Sequence, residues 1–423
     1  MARQKNGQKT FEPRRRTTVL ADTAADDGLP PAARPPIGLL MTMVLAGVLA
    51  INVYVPALPE ISRALEATPG EIQLTLTVFL AAFGIAQLVL GPMSDRYGRR
   101  PILLWGTALF VVANIVCALA FTIEALLVGR VLQAFGACAG SVVTRALVRD
   151  AWGRDGSASI MGFLTLSISL GAAVSPLIGG VLAVRFGWTA GFWFLAAVGA
   201  VPVIIGIFSL RETNQHIGRP MSVWRIASDL RRLCAYPPYL GYCLSVGAMN
   251  GMFFVFLSSA PFVLIDNLGM PADTFGVFML VMVAGSLIGA AIAARYGARP
   301  WGDRLLSIGT LCSLAGGVLI AAIGFAGWTS VPGVIAPLFL VGLGNGGMMP
   351  IAGARAVGLA PKLAGTASAG FGAIQLGGGA IGTVLAGFLT HTSQGPMGAG
   401  MVAFALLGLA STALTRRGTS RTF

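Results

Sequence analysis

Continuous apolar runs of about 20 residues, each long enough for a helix to cross a bilayer, recur along almost the whole chain. In lipid every backbone N–H and C=O must be paired inside the protein, so runs of this kind become helices. A membrane barrel would instead show short segments of alternating polarity. Composition narrows the choice further. Charged residues make up 11% and hydrophobic residues 55%, against about 25% charged in an ordinary soluble domain. A large soluble enzyme and a long polar disordered chain are both excluded. The expected fold class is an all-α polytopic membrane protein.

Spans are predicted at 37–58, 72–93, 101–121, 125–146, 158–184 and 188–210, and again at 238–264, 274–294, 304–325, 332–354, 364–390 and 397–415. The chain therefore divides into a basic tail (1–36), a six-helix half (37–210), a polar central loop (211–237), a second six-helix half (238–415) and a short tail (416–423). The first tail is aperiodic and expected to be disordered. Within the central loop Val223, Ile226, Leu230 and Leu233 recur at helical spacing with arginines between them, which predicts a short helix lying on the membrane surface.

Twelve spans put both termini on one side. The loops of that side and the two tails hold every Lys and Arg except Arg63, Arg130 and Arg185. By the positive-inside rule both termini face the cytoplasm. The formal charge of +13 is thus expected to orient loops. No basic stripe interleaved with stacking aromatics points to nucleic acid. The five cysteines lie far apart and the only histidines are His216 and His391, so neither disulfides nor a metal site is expected. No cofactor is implied, and no Ser/His/Asp set or phosphate loop suggests an enzyme.

The two halves repeat one another. Residues 95–101 read DRYGRRP, and 294–300, at an offset of 199, read ARYGARP. Two halves of six spans share one orientation, related by an axis along the membrane normal. A cavity between such halves would hold a substrate, and rocking of the halves would give alternating access.

Gly91–Pro101 (GPMSDRYGRRP) resembles the signature loop between spans 2 and 3 of the major facilitator superfamily. Arg130–Gly140 (RVLQAFGACAG) resembles the fourth-span motif of its drug:proton antiporters, and Gly171–Gly180 (GAAVSPLIGG) the fifth-span antiporter motif, with Ser175 in place of the usual glycine. Asn52–Pro59 and Ser259–Val263 narrow the resemblance to the Bcr/CflA drug exporters. It covers residues 37–415 and implies a monomeric multi-pass protein of a bacterial cytoplasmic (inner) membrane. Such a protein exports small hydrophobic or amphipathic compounds, with the proton gradient as energy source. Two rivals stay open: export of an endogenous metabolite such as a sugar or amino-acid derivative, and a membrane sensor that transports nothing.

These motifs and the embedded polar residues, taken physically and beside the resemblance, single out candidates. Gly91 and Gly98 would relieve crowding in the loop, and Arg96, Arg99 and Arg100 would anchor it against headgroups. Asp95 would gate the transporter by meeting the start of span 11, near Ala364, or Arg149. Gly171, Pro176, Gly179 and Gly180 would let span 5 approach span 8 closely. Arg130 with Gln133 would sense protonation or substrate, although an arginine at that depth could also snorkel to the interface. Asn52, Tyr54, Asn250, Phe253, Phe254 and Gln375 are candidates for a mostly apolar cavity with a few hydrogen-bonding groups. One departure matters. Asn52 stands where the subfamily generally has Asp, and no span carries a central carboxylate. Coupling would then fall to an end-of-span acid such as Glu60 or to the substrate, or be absent.

Overall fold

The computed structural model describes residues 34–214, 217–218, 223–299 and 302–415. Residues 1–33 of the predicted tail 1–36, the tail 416–423 and His216 lie outside the described residues. Among the described residues twelve helices are long and apolar enough to span a membrane. They are span 1 (Ile37–Ala64), span 2 (Pro69–Tyr97), span 3 (Arg99–Ala118), span 4 (Ile123–Gly153), span 5 (Gly156–Phe186) and span 6 (Thr189–Ser209). The second set is span 7 (Pro237–Asn267), span 8 (Ala272–Tyr296), span 9 (Gly302–Phe325), span 10 (Val331–Gly358), span 11 (Pro361–Phe388) and span 12 (Gln394–Thr415). Between the sets lies the predicted short helix, Val223–Cys234. Its Leu233 is buried, and Leu230 packs against Gly370 of span 11.

Local chemistry sets the breaks. Spans 4 and 5 run into each other and separate only at Gly153, whose φ of 67° is open to glycine at little cost. Span 1 is discontinuous. Its first helix ends at Asn52, a 3-10 turn covers Val55–Ala57, and a new helix starts at Leu58. Pro56 and Pro59 cause this, because each lacks an N–H and its ring displaces the carbonyl four residues back. Span 7 ends in a π-helical turn, Phe262–Asn267, directly after Pro261.

Spans 1–6 pack together, as do spans 7–12, and the two sets meet chiefly where span 2 lies along span 11 and span 5 along span 8. We call the side on which span 1 begins and span 12 ends the basic face. At the opposite face the sets interlock. Thr77 and Thr383 share a hydrogen bond of 2.8 Å, Gln73 donates to Ser258 O (3.4 Å), Arg63 reaches Asp266 (3.9 Å), and Gly70 packs on Gly387. Contact of spans 2 and 11 continues as far as Gln87 and Gly372.

Candidate functional site

The break in span 1 is filled by Arg130. This side chain from span 4 is fully buried, with 0% of its surface exposed. Nη1 donates to the carbonyl of Ala50 (2.9 Å), in the last turn before the break, where helix carbonyls lack their usual donors. Nε donates to Thr75 O of span 2 (3.4 Å), and Nη1 also meets Gln133 Oε1 one turn on. Gln133 passes its amide to Asn114 Oδ1 of span 3 (2.6 Å), and Asn114 bonds Phe110 O. The guanidinium plane lies between two rings, 4.1 Å from the centroid of Tyr54 and 4.4 Å from that of Phe79. Tyr54 in turn holds Thr75 Oγ1 at 3.2 Å.

This arrangement decides between snorkelling and burial. Taking one charge out of water costs several kcal/mol. Hydrogen bonds to a charged group return about 1.5–3 kcal/mol each, and each ring about 0.5–2 kcal/mol, so the charge is held in place. No carboxylate is among these partners, and Nη2 is buried without a partner. Four spans of one half are tied to a single unneutralised cation.

The cavity candidates divide. Tyr54 belongs to the Arg130 cluster. Asn52 is buried and its amide bonds Val48 O on its own helix (2.9 Å). In the other half Asn250 of span 7 donates to Gln375 O of span 11 (2.9 Å), and the Gln375 amide reaches Met349 Sδ of span 10 (3.8 Å). Phe253 is half-buried beside this group, 5.2 Å from Phe254. Phe254 itself is buried against Gly379. The half-open group is therefore Asn250, Phe253, Met349 and Gln375.

At the basic face the expected loop shrinks to one residue. Span 2 continues to Tyr97 and span 3 starts at Arg99, so Gly98 alone makes the turn, at φ 102°. Gly91 lies inside span 2, where a Cβ would have only one ordinary contact at 3.8 Å, so crowding does not require it. The arginines differ too. Arg100 donates to Ile207 O, and Arg99 is buried, with a bond to Ser94 Oγ and ion pairs to Asp95 and Asp150 (2.9 Å). Only Arg96, stacked on Tyr97, is free to meet headgroups. Asp95 is paired with Arg99 here, not with Arg149 or the start of span 11. Glu60 is likewise turned away from the cluster, accepting from Trp188 N at the head of span 6 (3.3 Å).

Sequence reading missed Glu212 and Asp150. Glu212 accepts from the backbone N–H groups of Arg99 and Arg100 and so caps span 3 with negative charge. Asp150 ties the end of span 4 to the start of span 3. The second half makes the same tie with signs exchanged, Asp303 of span 9 to Arg355 of span 10 (3.4 Å). Aligning the repeated halves for opposite charges at these ends was the available signal.

In span 5 the small residues are used as close-approach points. A Cβ at Gly171 would collide with Leu45, one at Gly179 with the Val53 carbonyl in the break of span 1, and one at Gly180 with Ala272 of span 8. Pro176 and Leu177 lie against Gly276.

The family model of the Major Facilitator Superfamily matches residues 40–383. The chain is 34% identical over 368 residues to the chloramphenicol resistance protein of Pseudomonas aeruginosa, covering 85% of each. It is 28% identical over 370 residues to multidrug resistance protein D of Escherichia coli, covering 87% of this chain and 92% of that one. To a bicyclomycin resistance protein homolog of Haemophilus influenzae it is 28% identical over 351 residues, covering 82% and 87%. In structure it resembles an inward-facing, unoccupied bacterial homolog of the human lysosomal transporter Spinster, with a TM-score of 0.71 at 15% identity over 90% of this chain and 95% of that one.

Proposed function

We propose that this chain, which belongs to the Major Facilitator Superfamily and within it to the Bcr/CflA-type transporters, exports small hydrophobic or amphipathic compounds, antibiotics among them, by alternating access. The observation that carries the reading is the interlocked opposite face between two six-span sets, with the partly exposed side chains Asn250, Phe253, Met349 and Gln375 offering apolar surface and two amides to a ligand with few hydrogen-bonding groups. Relatives named for resistance to chloramphenicol and bicyclomycin supply the compound class. Both chain ends lie in the cytoplasm, the membrane is the bacterial inner one, the protein works as a monomer, and the proton gradient drives it.

Expression in a pump-deficient host against a compound panel tests this. Raised resistance to chloramphenicol or related compounds is expected. Resistance to none, with a metabolite appearing in the medium, would move the reading to the endogenous exporter.

In this reading Asp95 alternates between partners. Its carboxylate is 52% exposed, and the buried Arg99 keeps Ser94 Oγ and Asp150 as partners, so the carboxylate can leave the pair without stranding the guanidinium when the basic face closes. We expect Asp95→Asn to lose most export with normal membrane levels. Full export by the amide would leave the turn a purely structural element.

A second expectation concerns Asn52, which lies between Ala50 and Tyr54, both touched by Arg130. Asn52→Asp adds a carboxylate to the buried segment that Arg130 holds on either side. Growth tests should show resistance extended to cationic drugs, while an unchanged spectrum would remove position 52 from substrate selection.

A further inference from the structure

No span carboxylate reaches the Arg130 cluster, yet one titratable ring sits in the interlocked face. His391 lies between spans 11 and 12, half-buried, stacked on Phe262 at 5.2 Å between centroids. Phe262 opens the π-helical turn of span 7, and Asn267, which ends that turn, donates to the His391 carbonyl. The ring is thus fixed to the second half. Across the interface Gln73 of span 2, itself fully buried, holds its amide nitrogen 3.2 Å from His391 Nε2 and 3.4 Å from Ser258 O.

Counting hydrogens favours one protonation state. The Gln73 amide has two, one for the Ser258 carbonyl and one for the imidazole. His391 Nε2 must then accept, so the ring is neutral and its hydrogen is on Nδ1. Nδ1 is buried without a partner, and so is Gln73 Oε1. A second proton, at Nε2, would aim one N–H donor at another and leave a buried cation. Turning the amide over would place its oxygen against the Ser258 carbonyl instead.

We propose that His391 is a proton-binding site of the opposite face: as a neutral ring it closes the face by accepting from Gln73, and a proton taken up at Nε2 from that side parts the two halves. This rests on the export reading, for which it supplies a titrating group where no span carries a central carboxylate. The neighbouring charges all remain in place when His391 is replaced. Glu71, in the first turn of span 2, is exposed and bonded to Thr68, and Asp266 is paired with Arg63. Burial alone holds the His391 imidazole below its ordinary value.

The sign follows from that direction. A group whose affinity for protons is lowered in the closed state favours closure at high pH. As pH falls through the ordinary imidazole value, about 6.5, the open state binds the proton first. The ratio of open to closed forms then rises, by up to about tenfold for each unit between the two pKa values, and levels off below the closed-state value.

The test uses full-length protein in nanodiscs, the native cysteines replaced by alanine, with spin labels at Phe121→Cys and Trp328→Cys, both exposed on loops of the opposite face. Lowering the pH from 8 to 5.5 should shift the distance distribution toward a longer population. His391→Gln, which offers an acceptor but cannot titrate, should abolish the shift, and His391→Lys should hold the long distance at both values. Gln73→Met, in which the ring titrates without its donor, should show a smaller shift and serves if the position-391 variants fail to fold. No pH response in the parent protein, or an unchanged response in His391→Gln, overturns the site. Acid-driven opening without export of any compound would keep the site and remove the substrate reading. Gradient-driven export undiminished in His391→Gln would do the reverse.

Discussion

Arg130→Ala should lower export by at least about a hundredfold, the equivalent of two charge-assisted hydrogen bonds at the weak end of their range, with Arg130→Lys retaining part of it. The alanine leaves the Ala50 and Thr75 carbonyls and Gln133 Oε1 without a donor, and it empties the space between the Tyr54 and Phe79 rings. Lysine keeps the charge and can donate to some of these oxygens. Its compact ammonium cannot fill a flat slot between two aromatic faces as a planar guanidinium does. Because the cluster bridges spans 1 to 4, loss of folding must be separated from loss of transport. Membrane levels and size-exclusion profiles of each variant are therefore measured beside the rate. A well-expressed Arg130→Ala protein with near-native export would show that the cation only stabilises the break in span 1.

That break shows what sequence alone can and cannot convey. The twelve spans are written in hydrophobic run length, because lipid admits only helices there, and predicted and observed spans agree to within a few residues at most ends. The interruption at Asn52–Tyr54 follows from Pro56 and Pro59, which lack N–H donors near the end of span 1, where the predicted span simply ends. What fills it is not foreshadowed. Arg130 is 80 residues from Ala50, and only packing of span 4 against span 1 brings them together. Asp95 and Gly91 illustrate the opposite case. Their motif is legible in the sequence, yet the partner Asp95 takes, Arg99 one turn on, follows from span 2 staying helical as far as Tyr97, which the motif does not show. His391 carried no signal. An isolated histidine beyond the end of an apolar run gains meaning only when Gln73, 318 residues earlier, is set against its ring.

The span-5 glycines separate structure from mechanism. Gly179 and Gly180 are neighbours about 100° apart around one helix, so they meet different partners. A side chain at Gly179 would strike the Val53 carbonyl, within the first six-span set, whereas one at Gly180 would strike Ala272 and Asp273 of span 8, in the second. Overpacking a tight contact costs about 1–3 kcal/mol. Within one set that cost falls on folding. Between two sets that part during each cycle it falls only on the closed state, and shifts the balance toward the open one by roughly 5- to 150-fold. We therefore expect Gly179→Leu to lose folded protein. Gly180→Leu should reach the membrane at normal levels, fail to export and remain open at the opposite face, so that the Phe121 and Trp328 label pair reports the long distance even at pH 8. The two readings separate cleanly. If Gly180→Leu exports at the parent rate, span 5 and span 8 do not form the closing surface. If it is unstable to the same degree as Gly179→Leu, the contact belongs to a permanent interface and the halves do not part there.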